Sequence, residues 1–247
     1  MKSWIDLNCD MGEGYDSETL IMPFISSANI ACGYHAGDEQ TMIRTISLAR
    51  KYGVAIGAHP SYPDKENFGR KAMTMSDEEV YKMVTDQLRI LNEIAADMGM
   101  NLHHVKPHGA LYNVAAKEVN VAIAIAHAIA DMDARMVLYG LANSAFAIAA
   151  EKTGLRFCGE AFADRTYTDD GLLTPRSEPH ALIEKEEIAI AQVLQLLEKG
   201  NITSWSGKKV SLQADTICIH GDGPHAVDFA QKIHDALKAK GISIKTT

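Results

Sequence analysis

Seven short apolar runs, each followed by a stretch with helical period, constrain this chain more than any other feature. The runs are "WIDLNC", "SANIAC", "VAIGAH", "LHHVK", "RMVLYG", "RFCGEAF" and "TICIHG". The clearest helical stretch is "SDEEVYKMVTDQLRILNEIAADMG". Ser76 and Glu79 form a capping box at its start. Val80, Met83, Val84, Leu88, Leu91 and Ile94 make an apolar stripe at three- and four-residue spacing. "RKYG", "ADMG", "EKTG", "LEKG" and "KAKG" close five such segments with glycine, the residue that most readily takes the left-handed conformation ending a helix. Strands alternating this regularly with helices predict a parallel sheet covered by helices. Seven units over 247 residues predict a single-domain α/β chain, a (β/α)7-type barrel spanning 1–247. An open doubly wound sheet is the alternative, but neither GxGxxG nor GxxxxGK[ST] occurs.

Composition excludes several classes of function. The formal net charge is -8 with no basic cluster, which argues against nucleic acid or an anionic membrane as partner. No run of about 18 apolar residues occurs, and "MKSWIDLNCDMGEG" lacks the apolar core of a signal peptide, so a cytoplasmic location is expected. The four cysteines (Cys9, Cys32, Cys158, Cys218) show no CxxC spacing and read as small buried hydrophobes in a reducing compartment.

In barrels of this kind the site lies at the C-terminal ends of the strands. Asn8, Asp10 and Glu13 follow the first run, and His35 and Asp38 the second. His59 and Asp64 follow the third, Lys106 and His108 the fourth. Glu160, Asp164 and Arg165 come with the sixth, and His220, Asp222 and His225 with the seventh. Strand periodicity puts Asn8 and Asp10 on one face of the first strand, opposite Ile5, Leu7 and Cys9, and places Ala55, Gly57 and His59 together on the third. Asp6 shares the polar face and reads as a buried structural carboxylate. In "ACGYHAGD", Gly33 and Gly37 allow a tight turn that holds His35 over the mouth. Asp38 caps the next helix and stands close enough to orient His35. His103, His127, His180 and His234 read as ordinary polar positions. Convergent titratable groups on glycine-rich turns are the form an active site takes.

Taken in order, "IDLNCDMGEG", "SANIACGYHAGD", "GAHPSYPD" with "FGR", "VKPHGALYN", "GEAFADRTYTDDGLLTPR" and "CIHGDGPHA" resemble the blocks of the LamB/YcsF family. Glu39 stands where that pattern has proline, and His180 where it has glycine. The resemblance implies a barrel of seven β/α units, distantly similar to NodB-like polysaccharide deacetylases. It also implies the role of the A subunit in an ATP-hydrolysing 5-oxoprolinase. With subunits B and C, that enzyme opens the lactam ring of 5-oxo-L-proline (pyroglutamate) to L-glutamate.

Such a hydrolysis needs an activated lactam. Phosphorylating the lactam oxygen turns it into a leaving group, and water then adds to the ring carbon. Without a Walker-type loop here, ATP is expected to be handled by subunits B and C. Asp10, Glu13 or a histidine is the candidate base, with Lys106 and Arg165 as clamps for carboxylate and phosphate. His35, His59, His108 and His220 are candidate acids, Asp222 a further catalytic candidate, and Asn8 and Glu160 candidate substrate ligands. If a divalent metal is required, Asp10, His35 and His59 are the candidate ligand set, by analogy with the Asp-His-His set of the deacetylases. Two rival readings remain at this level: a metal-dependent carbohydrate deacetylase, and a non-catalytic substrate-binding subunit.

Overall fold

A computed structural model describes residues 2–221 and 226–247. Its centre is a closed barrel of parallel strands: β1 (Trp4–Met11), β2 (Ser27–Ala31), β3 (Ala55–His59), β4 (His104–Val105), β5 (Val137–Leu141), β6 (Arg156–Phe162) and, late in the chain, β9 (Thr216–Ile219). These seven run β1-β2-β3-β4-β5-β6-β9, and β9 pairs back onto β1 through Asp6↔Thr216 to Cys9↔Ile219. Each coincides with one of the seven apolar runs, and the seven-unit barrel is the expected architecture.

Helices wrap the outside: α1 (Glu18–Ile21), α2 (Glu39–Tyr52), α3 (Asp77–Asp97), α4 (Gly109–Ala115), α5 (Val119–Asp133), α6 (Ala145–Thr153), α7 (Glu186–Lys199) and α8 (Ala226–Ala239). Their ends follow sequence chemistry. Asp38 caps α2 by accepting from the Thr41 amide, and Ser76 and Glu79 complete the capping box of α3. Val80, Met83, Val84, Leu88 and Leu91 of α3 are buried against the barrel, and Ile94 packs half-buried beside them. No described helix is long and apolar enough to cross a membrane.

Two features lie outside the seven-unit pattern. β7 (Asn201–Thr203) and β8 (Lys209–Ser211) form an antiparallel hairpin between α7 and β9, and β10 (Ser243–Ile244) pairs with the start of β1. The segment 163–185 between β6 and α7 holds only isolated bridges, Arg165↔Leu182 and Tyr167↔Leu173.

The apolar core lies between strands and helices. Ile5, Leu7, Cys9 and Met11 of β1 point outward and are fully buried there. The inner face of the same strand carries Asp6, Asn8 and Asp10, so the barrel is filled with polar groups instead of layered aliphatic side chains. Gly57 makes room for one of them: a Cβ at that position would lie 2.3 Å from the His104 ring. Among the described residues, no buried side-chain nitrogen or oxygen lacks a partner.

Candidate active site

The polar filling is a continuous network that rises toward the mouth. At its base Asp6 accepts from Ser26 and Ser27 at Oδ1 (2.6 and 2.7 Å) and from Thr216 at Oδ2 (2.6 Å). Burial raises its pKa against these hydrogen bonds, and its place is the structural one expected. Above it, the Asn8 amide donates to Thr216 Oγ1 (2.7 Å) and Glu160 Oε1 (2.9 Å), and its carbonyl accepts from Asn29 (2.8 Å). Tyr112 donates to the other Glu160 oxygen (2.7 Å). Asn8 and Glu160, both candidate substrate ligands, thus lie deep in this network and hold each other.

Lys106 forms the next layer. Its Nζ lies 2.9 Å from Asp10 Oδ1, 2.9 Å from Glu160 Oε1 and 3.1 Å from Asn8 Oδ1. Burial works against its charge, yet Asp10, Cys218 and Glu160 outweigh burial and hold the ammonium well above its ordinary range. Asp10 shows the converse. Burial pushes its carboxyl up, but His59 and Lys106 pull it well below the ordinary carboxylate range. Asp10 also accepts from Asn29 (2.8 Å) and lies 3.2 Å from His59 Nε2.

Three histidines and Glu13 gather on one side of the mouth. Glu13 Oε1 lies 3.0 Å from His35 Nε2, 3.4 Å from His108 Nδ1 and 4.0 Å from His59 Nε2. The loop after β2 brings His35 there, with Gly33 and Gly37 both at positive φ (87° and 76°) as the tight turn requires. The His35 and His108 rings stack at a centroid distance of 3.8 Å. Burial, then the neighbouring His59, lowers the pKa of His35 to about 3. Burial, with His59 and His35, likewise drives His108 well below its ordinary value. Asp38 does not orient His35. Its exposed side chain is engaged by the Thr41 amide, and His35 takes Ser61 and Glu13 as partners.

His220 stands apart from this cluster. Its Nδ1 lies 2.7–2.8 Å from the two oxygens of Asp164, and Arg176 donates to its Nε2 at 3.2 Å. Burial raises Asp164, but His220 outweighs it and lowers the carboxyl's pKa overall. Arg165 is buried and donates to the backbone carbonyls of Ala181 (3.2 Å) and Thr174 (2.6 Å), so it secures the 163–185 segment from the cavity wall. Burial, then Arg176, lowers its pKa to about 10.

A cavity of about 340 Å³ opens between these groups, with Asp10, His59 and Lys106 reaching it alongside Glu13, His108, Arg165 and His220. That volume suits a small-molecule ligand. Asp222 and His225 lie outside the described residues. Of the expected metal set, Asp10 Oδ2 lies 3.2 Å from His59 Nε2, and His35 and His59 belong to one cluster. Glu13 and His108 join that cluster, and Asp10 also gathers with Cys218 and His220. Lys106 and Asn29 hold Asp10 Oδ1 on the barrel axis, which leaves Oδ2 toward His59. Arg70, Phe68, Tyr112 and Arg176 also line the cavity and were not singled out by spacing. "FGR" and "TPR" carry three of them, but a lone arginine or aromatic in a loop gives no periodic signal.

The LamB/YcsF family model matches residues 5–247. A protein of Tolumonas auensis named as the A subunit of 5-oxoprolinase is 52% identical over 246 residues, covering 98% of each chain. One of Bacillus subtilis with the same name is 49% identical over 245 residues, covering 97% of this chain and 95% of its own. The crystal structure of a lactam utilization protein from Thermus thermophilus superposes with a TM-score of 0.93 at 39% identity, covering 100% of both chains.

Proposed function

The chain belongs to the LamB/YcsF family, and from that membership we propose that it is the A subunit of an ATP-dependent 5-oxoprolinase that opens the lactam ring of 5-oxo-L-proline to L-glutamate. The reading draws support from the full-length similarity to proteins named as the A subunit of 5-oxoprolinase. The observation that carries it is that His220, held by Asp164, and the buried Lys106–Asp10 pair line one cavity of small-molecule size.

In this reading subunits B and C handle ATP and place its terminal phosphoryl group on the lactam oxygen. The phosphorylated ring then meets His220. Its Nδ1–H is held by Asp164, which leaves Nε2 to take a proton from water as the water oxygen adds to the ring carbon. Substrate displaces Arg176 from that nitrogen, and the guanidinium then meets substrate anion. The ring C–N bond breaks as the imidazolium returns its proton to the departing nitrogen. The product of that step is an acyl phosphate of glutamate, and a second water releases phosphate and L-glutamate. Asp10 is held too strongly ionised to be an efficient base near neutral pH, and with Lys106 it fixes the charge at the cavity floor.

The test is glutamate release from 5-oxoproline and ATP by this chain mixed with subunits B and C, with each component omitted in turn. Release that requires all three and ATP is the expected result. Release without this chain, or hydrolysis of ATP by this chain alone on addition of 5-oxoproline, sinks the reading.

A further inference from the structure

The hydrogen bonds around the three clustered histidines fix where their protons sit. His59 Nδ1 lies 2.6 Å from the Lys106 carbonyl, and His108 Nε2 lies 2.9 Å from the Phe68 carbonyl. His35 Nδ1 lies 3.0 Å from Ser61 Oγ, whose own proton goes to the Tyr62 carbonyl at 2.9 Å. A carbonyl oxygen only accepts, and a hydroxyl already donating elsewhere must accept here. Each neutral ring therefore carries its proton on the nitrogen that faces away from the cluster. His35 Nε2, His59 Nε2 and His108 Nδ1 are left as lone pairs.

Those lone pairs face one another and a carboxylate. His59 Nε2 and His108 Nδ1 are 2.9 Å apart, and Glu13 Oε1 lies 3.0 to 4.0 Å from all three nitrogens. Two facing imidazole lone pairs at that distance need a shared proton or a bound cation between them, and Asp10 Oδ2 lies 3.2 Å from the same His59 nitrogen. We propose that Glu13, His35, His59 and His108 bind one divalent transition-metal cation of the zinc class.

The donor set and its spacing fit that ion. A tetrahedral ion with bonds of about 2.0–2.1 Å sets its donors about 3.3 Å apart. The 2.9, 3.0, 3.4 and 4.0 Å separations here bracket that value, and all four donor atoms lie within 4.8 Å of one another. Imidazole nitrogens held by backbone acceptors on their far side are the usual supporting arrangement of metal-binding histidines. The surrounding chain is shaped to the cluster. Phe68 adopts a positive φ of 56°, uncommon for its residue type, and so presents its carbonyl to His108. At Gly69 a side chain would meet the His35 Cβ at 2.9 Å.

This inference stands whether or not the chain opens a lactam, and its test reads binding. The full chain is stripped with a chelator, shown to be folded by circular dichroism, and titrated with zinc chloride by calorimetry. Metal content is then measured by mass spectrometry after gel filtration, and cobalt(II) replaces zinc for its visible spectrum. One ion per chain is expected, with tetrahedral cobalt bands. His108→Ala and Glu13→Gln should each weaken binding at least tenfold, and Ser61→Ala, which removes only an outer acceptor, by about tenfold or less. Failure of the folded wild-type chain to take up stoichiometric zinc or cobalt overturns the proposal. Uptake unchanged in both variants also overturns it, because the ion then sits elsewhere. Where a variant does not fold, nitrogen-resolved imidazole spectra of the metal-free wild-type chain decide. A doubly protonated His59 or His108 at pH 8, unchanged by zinc, means that protons hold the cluster together.

Discussion

Lys106 Nζ lies 2.9 Å from Asp10 Oδ1 on the barrel axis, with both side chains buried at the cavity floor. The pair is not isolated, because Glu160 shares the same ammonium at 2.9 Å. One buried cation is thus shared by the two carboxylates that meet there.

Removing that cation should be far worse than removing one of its partners. Lys106→Met leaves Glu160 buried without a counter-charge and Asp10 with His59 alone, and a loss of about 3–5 kcal/mol is expected. Asp10→Asn keeps the shape and leaves Glu160 to pair with Lys106, so its loss should be clearly smaller. Urea unfolding of both variants measures the difference. Equal stabilities would mean that the charge at Lys106 is not what holds these carboxylates in place.

Acid should weaken the fold before carboxylates of ordinary pKa titrate. His35 titrates at about 3 in the folded chain, against 6.5 for the free side chain, and His104 and His108 are lowered in the same direction by burial. Between those limits the unfolded chain binds more protons than the folded one, so stability falls as pH drops below about 6.5. Each pH unit through which one such histidine is held neutral contributes about 1.4 kcal/mol. Asp10 and Asp164, whose folded pKa values are depressed, add a further loss below about pH 4. The urea midpoint should therefore be lower at pH 5 than at pH 7. A midpoint that is equal or higher at pH 5 would show that these histidines are already protonated in the folded chain.

His220 and Asp164 should behave as one unit in turnover. His220→Gln in the assembled enzyme is expected to lower kcat by about 10²–10⁴-fold with KM changed much less. Asp164→Asn should also lower kcat, and the double variant should be little worse than His220→Gln alone. Multiplying effects in the double variant would separate the two residues and remove Asp164 as the group that orients the histidine.

Gly57→Ala tests the close packing of the polar interior. The new methyl group would lie 2.3 Å from the His104 ring, which is itself held by Asn29 (2.7 Å) and stacked on Tyr139. A loss of about 1–3 kcal/mol is expected, read as a lower unfolding midpoint. An unchanged midpoint would mean that His104 swings away without penalty.

The seven barrel strands were legible because each is a short apolar run, framed by helices with glycine stops and, in α2 and α3, clear caps. The hairpin of β7 and β8 was not. Its strands are three residues each and carry Lys209 and Ser211 on exposed positions, so only pairing with each other makes them strands. Within the site, the presence of His35, His59, His108 and His220 at strand ends could be read from spacing. Their partners could not. Glu13 reaches the histidines because the chain turns back at Gly12, with φ of 73°, and Lys106 and Asn29 share one oxygen of Asp10 while His59 lies beside the other. Which carboxylate meets which imidazole is decided by loop path and by competing charges, neither of which leaves a local pattern.

The inner face of β1 acts as an axle, a line of complementary donors and acceptors on which the other strands are mounted. Asp6, Asn8 and Asp10 each engage side chains from two or more other strands or the loops at their ends. Along this axle a residue is replaceable only together with its opposite number, since a single change leaves a buried donor or acceptor unmatched. The aliphatic shell outside the strands obeys a looser rule, in which side chains of similar volume substitute for one another. Redesign of this barrel can therefore vary the shell position by position, but must treat the axle as a lock cut for one key.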